Sequence, residues 1–205
     1  MNILLTNDDG IHAPGLKIAR EIASTIAGKG GKVIIVAPAS EQSGVAHSIS
    51  YVRPSLIEQI EKNTYSVEGT PADCILAGID YVMNGKKPDL IISGINRGQN
   101  IAEDVLYSGT IGAAMEGAIH GIKSIALSQS YSKKTVKSPH LFDAARKYAE
   151  KVCKKLLLDD PFLEKDFNGF YNINFPACKA DQVRGVKVCK TGLRQENTFS
   201  ISSQI

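Results

Sequence analysis

Three consecutive apolar residues, Ile3-Leu4-Leu5, lead almost directly into Asn7-Asp8-Asp9-Gly10, and this junction constrains the fold more than any other stretch of the chain. A continuous apolar run marks a strand covered on both faces, the habit of parallel sheets rather than of half-exposed ones. Asn, Asp and Gly are poor in strands and good in turns, so the two adjacent acids sit where the strand stops. In an open α/β sheet that end is the carboxyl edge, where ligands bind. Adjacent carboxylates repel unless they share a proton or a cation, and a hard divalent ion with oxygen ligands relieves the repulsion. A turn whose Asp side chains cap the next helix is the other reading of the same residues, and the motif alone does not separate the two.

The rest of the chain repeats the pattern. Pro14 suits a first helical turn, and Leu16, Ala19, Ile22, Ala23 and Ile26 recur at helical spacing until Gly28 and Gly30-Gly31. Residues 33–36 are a second apolar run, which completes a βαβ unit. A long polar loop, 37–48, then leaves the same sheet edge as the acids. Residues 49–52 and 65–68 read as short strands of an edge hairpin. Thr70-Pro71-Ala72-Asp73 opens a helix with Thr70 as N-cap, and Ile75, Leu76, Ile79 and Val82 mark its buried face. Residues 90–92 and 124–128 are further buried strands, and small residues through 112–121 predict a helix packed closely on the sheet. A patterned helix spans about 139 to 158, followed by strand candidates at 170–175 and 186–189. The expected fold is α/β: Rossmann-like and doubly wound, a mostly parallel sheet flanked by helices, with a short C-terminal β extension.

Composition excludes several functions. With 205 residues, 43% hydrophobic and 22% charged, the chain suits one large soluble domain. A net charge of +3, with Lys and Arg scattered, gives no reason to expect nucleic acid or membrane as a partner. No apolar stretch nears the roughly 20 residues of a membrane span, and the N-terminus lacks a signal-peptide pattern, so the expected location is cytoplasmic. Cys74, Cys153, Cys178 and Cys189 are far apart with no C-x-x-C pair, which argues for free thiols and against structural zinc.

Three loops leave one sheet edge with distinctive polar sets: residues 7–10, 43–48 and 93–108. Asp8 and Asp9 offer charged oxygen, while Ser43 and Asn96 add neutral oxygen suited to Mg²⁺ or Mn²⁺. Ser108-Gly109-Thr110 at the head of a helix offers backbone N–H groups, hydroxyls and about half a positive charge of helix dipole to an anion. Taken alone it is an ordinary N-cap. A phosphate beside a divalent ion points to phosphoryl transfer. His47 could bond that phosphate or act as a general acid, although an isolated loop His is more often a surface residue. Arg97 suits either a phosphate or a neighbouring acid.

At this point the chain resembles the SurE survival-protein family of metal-dependent nucleoside monophosphate phosphatases. The motifs that carry the resemblance are Leu5-Thr6-Asn7-Asp8-Asp9-Gly10-Ile11, Val36-Ala37-Pro38 with Glu41-Gln42-Ser43-Gly44 and His47-Ser48, Gly69-Thr70-Pro71-Ala72-Asp73-Cys74, Ser93-Gly94-Ile95-Asn96-Arg97-Gly98 with Asn100, and Tyr107-Ser108-Gly109-Thr110. The resemblance implies one divalent ion per subunit on Asp8, Asp9, Ser43 and Asn96, with Asp8 and Asp9 as the catalytic pair. It implies a phosphate near Asn7, Ser108, Gly109 and Thr110, with Thr70 and Asn100 bordering the pocket. The implied reaction is hydrolysis of 5′- and 3′-nucleoside monophosphates, with short polyphosphate as a side substrate. These residues leave open whether an Asp or a metal-bound water attacks phosphorus, and the commitment of both acids to the ion favours water. Residues 1–190 then form the nucleotidase domain and 191–205 begin a C-terminal arm that family members extend by several tens of residues. The short ending is expected to reflect either an incomplete sequence or a shortened member, and a homodimer or homotetramer is expected if the arm is present.

Two rivals remain from other classes. A signalling receiver domain also places paired acids after its first strand, but it needs a phospho-accepting Asp where this chain has Asn96. A pure nucleotide-binding module accounts for the Gly-rich loops and not for Asp8-Asp9, and its glycine fingerprint is absent after the first strand.

Overall fold

The computed structural model of the chain describes residues 1–133, 135–158 and 169–194. Its strands are β1 (Asn2–Thr6), β2 (Lys32–Pro38), β3 (Ile57–Glu61), β4 (Thr64–Val67), β5 (Leu90–Arg97), β6 (Ser124–Gln129) and β7 (Phe170–Phe175). The helices are α1 (Pro14–Ala27), α2 (Pro71–Ala77, continued by a π turn at Gly78–Val82), α3 (Asp104–Tyr107), α4 (Gly109–Ile119) and α5 (Asp143–Leu158). All seven strands join one sheet in the order β3-β4-β2-β1-β5-β6-β7. Every neighbouring pair is parallel except the β3–β4 hairpin. The expected α/β fold, mostly parallel and wound in both directions from β1, is therefore present.

Alternation along the buried runs assigns the faces. Ile3 and Leu5 pack with Leu16, Ala19, Ile22 and Ala23 of α1 and with Ala145 and Ala149 of α5. Leu4 and Ile91 point the other way, onto Cys74 and Ile75 of α2, Ile79 of the π turn and Ala113 of α4. A strand covered on both sides has no polar face to show, which is why these runs read as continuous. The close packing expected of α4 is present: a Cβ on Gly117 would lie 2.3 Å from the Ser124 hydroxyl and 2.5 Å from Ile91. All four cysteines are free thiols.

Four expectations are corrected. The hairpin pairs Ile57–Glu61 with Thr64–Val67, and its turn carries Asn63 in the left-handed region at φ 61°. Residues 49–52 are loop instead, because the Ser50 amide and hydroxyl donate to the Asp73 carboxylate and Tyr51 and Val52 stay exposed. Residues 186–189 form no strand and pair with none among the described residues, and Val186 and Val188 face solvent, so the C-terminal β extension is not found there. Helix α5 starts at Asp143 rather than 139, the acid falling in its first turn where the helix dipole favours it. Leu76 and Val82 are only half-buried. Of the expected arm at 191–205, residues 195–205 lie outside the described residues.

Candidate active site

The strand order reverses at β1. From β1 the chain moves through β2 to one side, then returns to pair β5 on the other, so loops leaving β1 and β5 diverge and open a crevice between them. Asp8 and Asp9 follow β1, while Asn96 and Arg97 end β5. The β5–β6 register shifts between Ser93 and Asn96. Gly94 sits in that irregularity at φ 133°, where a Cβ would come 2.3 Å from the Leu127 carbonyl oxygen, so only glycine fits. The bulge turns the end of β5 toward the acids, and the Arg97 N–H donates to Asp9 Oδ2 at 3.0 Å.

Asp8 is 4% exposed. Thr110, in the first turn of α4, donates its hydroxyl to Asp8 Oδ1 at 2.6 Å and its N–H to Oδ2 at 3.1 Å. Burial pushes the Asp8 carboxyl up to about 6, against the hydrogen bond from the Thr110 hydroxyl, and the Asp9 charge adds to the push. Burial also raises Asp9, where the Arg97 amide and guanidinium hold it down and Glu41 repels it. The Asp8 carbonyl accepts the Gln42 N–H at 2.7 Å, which draws the loop after β2 over the pair. There the Ser43 hydroxyl donates to Glu41 Oε1 at 2.7 Å, and the Asn96 amide donates to the Gly98 carbonyl at 3.1 Å.

An open cavity of about 720 Å³ joins these groups, lined by Asp8, Asp9, Glu41, Ser43, Asn96, Asn100 and Ser108 among others. Of the expected residues, the structure thus brings the four metal candidates together and adds Asn100 and Ser108. The others are placed differently. Asn7 is fully buried and its amide donates to the Gly10 carbonyl at 2.9 Å, which shapes the turn. Thr110 spends both donors on Asp8 and serves the carboxylate, while Gly109 is pressed between Asp8 and Pro71, a Cβ there meeting each at 3.0 Å. Thr70 caps α2, donates to the Ser48 carbonyl at 2.6 Å and lines a separate cavity of about 560 Å³. His47 turns away to Glu116, with Nε2 and Oε2 2.6 Å apart.

Sequence reasoning missed Glu41 as a third carboxylate at the cavity, although it stood inside a quoted motif. It also missed Glu116, a buried acid in a small-residue helix, and Tyr131, which lines the same cavity and which no motif marked. Among the described residues no three His, Cys, Asp or Glu side chains are grouped to hold a metal. The cavity does hold Asp8, Asp9 and Glu41 against Arg97 and Arg194, and its donors are hard oxygen throughout. Two carboxylates completed by hydroxyl, amide and solvent oxygen suit a hard divalent cation.

The family description "Survival protein SurE" matches residues 3–198. The chain belongs to the SurE family. It is 47% identical over 200 residues to "5'-nucleotidase SurE" of Roseobacter denitrificans, covering 98% of this chain and 77% of that protein. The same-named protein of Ruegeria pomeroyi is 46% identical over 200 residues, with the same coverage. Among solved structures, the SurE protein of Aquifex aeolicus superposes with a TM-score of 0.82 at 37% identity, covering 95% of this chain and 73% of that one. This SurE chain has no helix, among its described residues, long and apolar enough to cross a membrane.

Proposed function

We propose that the chain is a phosphomonoesterase that hydrolyses nucleoside monophosphates to nucleoside and phosphate, using a divalent ion held by Asp8, Asp9, Ser43 and Asn96. The carrying observation is the buried Asp8-Asp9 pair at the switch point of the sheet, in a chain 47% identical to a protein named for 5′-nucleotidase activity. The ion supplies positive charge that polarises the phosphoryl oxygen.

The chain's own residues do the remaining work. Thr110 fixes the orientation of Asp8 with two hydrogen bonds, and the Arg97 amide fixes Asp9. With both acids engaged as ligands of the proposed ion, water rather than an Asp would be the group that attacks phosphorus. The N-terminus of α4 directs its dipole at the same cavity through Ser108, where a phosphate dianion is favoured. The finer readings rest on the family resemblance: Mg²⁺ or Mn²⁺ as the ion, 3′-monophosphates and short polyphosphate as further substrates, residues 1–190 as the nucleotidase domain, and work in the cytoplasm as a homodimer or homotetramer.

Phosphate release from a panel of nucleoside monophosphates with Mg²⁺ or Mn²⁺ tests the reading. Release is expected to stop in chelator and to fall by at least about a hundredfold in Asp9→Asn. A folded protein, loaded with either ion, that releases no phosphate from any member of the panel would sink it.

A further inference from the structure

We infer that Tyr131 is the face on which the substrate's nucleobase stacks, so that the cavity of the SurE site is divided by chemistry into an ionic part and an aromatic part. The inference rests on the nucleotidase reading and names the part of the substrate that reading leaves unplaced.

The same cavity that holds Asp8, Asp9 and Glu41 also exposes Ile101, Tyr107, Tyr131, Val136 and Leu193. Tyr131 is 45% exposed and Ile101 51%. Large apolar side chains gathered at the mouth of an ionic cavity mark a ligand with an apolar part. A phosphate and a ribose offer no flat apolar face, whereas a nucleobase does.

The fold sets Tyr131 beside the ionic residues. It lies two positions past Gln129, the last residue of β6, whose carbonyl accepts the Gly98 N–H at 3.0 Å. A Cβ on Gly98 would come 3.6 Å from Tyr131 Cε1 and 3.7 Å from Asn96 Nδ2. Gly98 therefore leaves a notch with the Asn96 amide on one side and the Tyr131 ring on the other, at φ 139° where a side chain is strained. A ligand whose phosphate sits at Ser108, beside an ion on Asp8, Asp9 and Asn96, has its far end directed past this notch to the ring. Arg194 and Asp104, also at the cavity, are paired with each other. Stacking on the ring tolerates every base and favours the larger purine face.

The test compares adenosine 5′-monophosphate with ribose 5-phosphate, which keeps the sugar and phosphate and lacks the base. In the metal-loaded protein, Tyr131→Ala is expected to lower the ratio of the two kcat/KM values about tenfold, the loss of one stacked base, through KM of the nucleotide. Tyr131→Phe keeps the ring and is expected to restore the ratio. A parallel fall for both substrates would assign Tyr131 to structure, and an unchanged ratio would remove it from recognition; either overturns the inference. If the wild-type protein turns over neither compound, the nucleotidase reading fails on its own. Calorimetric binding of the two compounds to wild type and Tyr131→Ala then decides the stack by the same ratio, taken in Kd.

Discussion

Asp8 is placed where its charge is least welcome, buried beside a second carboxylate. Its folded value of about 6 lies above the unfolded 3.8. For a group raised in this way, the contribution to stability is complete below pH 3.8 and is lost as pH rises through about 6, because folding then buries the charge. At pH 7.5 without an ion the penalty is about 3 kcal/mol, at 1.36 kcal/mol per pKa unit. Asn at this position keeps an acceptor for the Thr110 N–H and can donate to the Thr110 hydroxyl. Asp8→Asn in chelator is therefore expected to melt about 5–10 °C above wild type at pH 7.5, with roughly half that gain at pH 5. A variant no more stable than wild type at pH 7.5 would refute the account. The acids themselves were legible in the sequence, since four turn-forming residues after an apolar run end the strand. The duty of Thr110 was not, because it depends on where the first turn of α4 lands relative to Asp8, a distance of 102 residues in sequence.

At the scale of elements, the loop after β2 is held at both flanks of its apex. The Gln42 N–H donates to the Asp8 carbonyl and the Ala46 N–H to the Tyr107 carbonyl, leaving Ser43 between two fixed points. Beyond it His47 meets Glu116 of α4, whose other oxygen lies 3.0 Å from His120 Nε2. Glu116 is a positioning residue, joining the loop to the helix that also holds Asp8. Glu116→Ala strips both imidazoles of their partner and is expected to cost about 2 kcal/mol, a midpoint lower by about 4–8 °C. Its KM for a divalent ion in the phosphatase assay should rise as Ser43 loosens, whereas Glu116→Gln, which still bonds both rings, should retain most of the wild-type midpoint. An unchanged midpoint in Glu116→Ala would show the contact to be idle. The sequence could not supply this link, for a lone His in a polar loop looks like a surface residue until its partner is known. The misplaced hairpin has the same origin. Residues 49–52 have strand-like composition, but Asp73 claims Ser50 from 23 positions away, and only Asn63 gives the pairing its turn.

For the molecule as a whole, the apolar runs were enough to read the architecture, because a doubly wound sheet buries its central strands on both faces and leaves no period to misjudge. Six strands found by that rule or by the hairpin signal leave the ligand edge in one place. The ion proposed there would touch residues after β1, in the loop after β2 and at the end of β5, and so would join the two halves that diverge from the switch point. A ligand bound only by the folded state stabilises it by RT ln(1 + [L]/Kd), about 2.7 kcal/mol at a hundredfold excess over Kd. For a chain of this size that is a rise of about 5–10 °C in the midpoint with Mn²⁺ at pH 7.5. The rise should shrink at pH 5, since protonation of Asp8 below about 6 competes with the cation for the same oxygens. Asp8→Asn should lose most of it, because the variant has already relieved the repulsion that the ion would relieve. The two substitutable remedies, neutralisation and cation binding, should therefore not add. An equal Mn²⁺ shift in wild type and Asp8→Asn would place the ion elsewhere on the molecule and detach the metal from the buried pair.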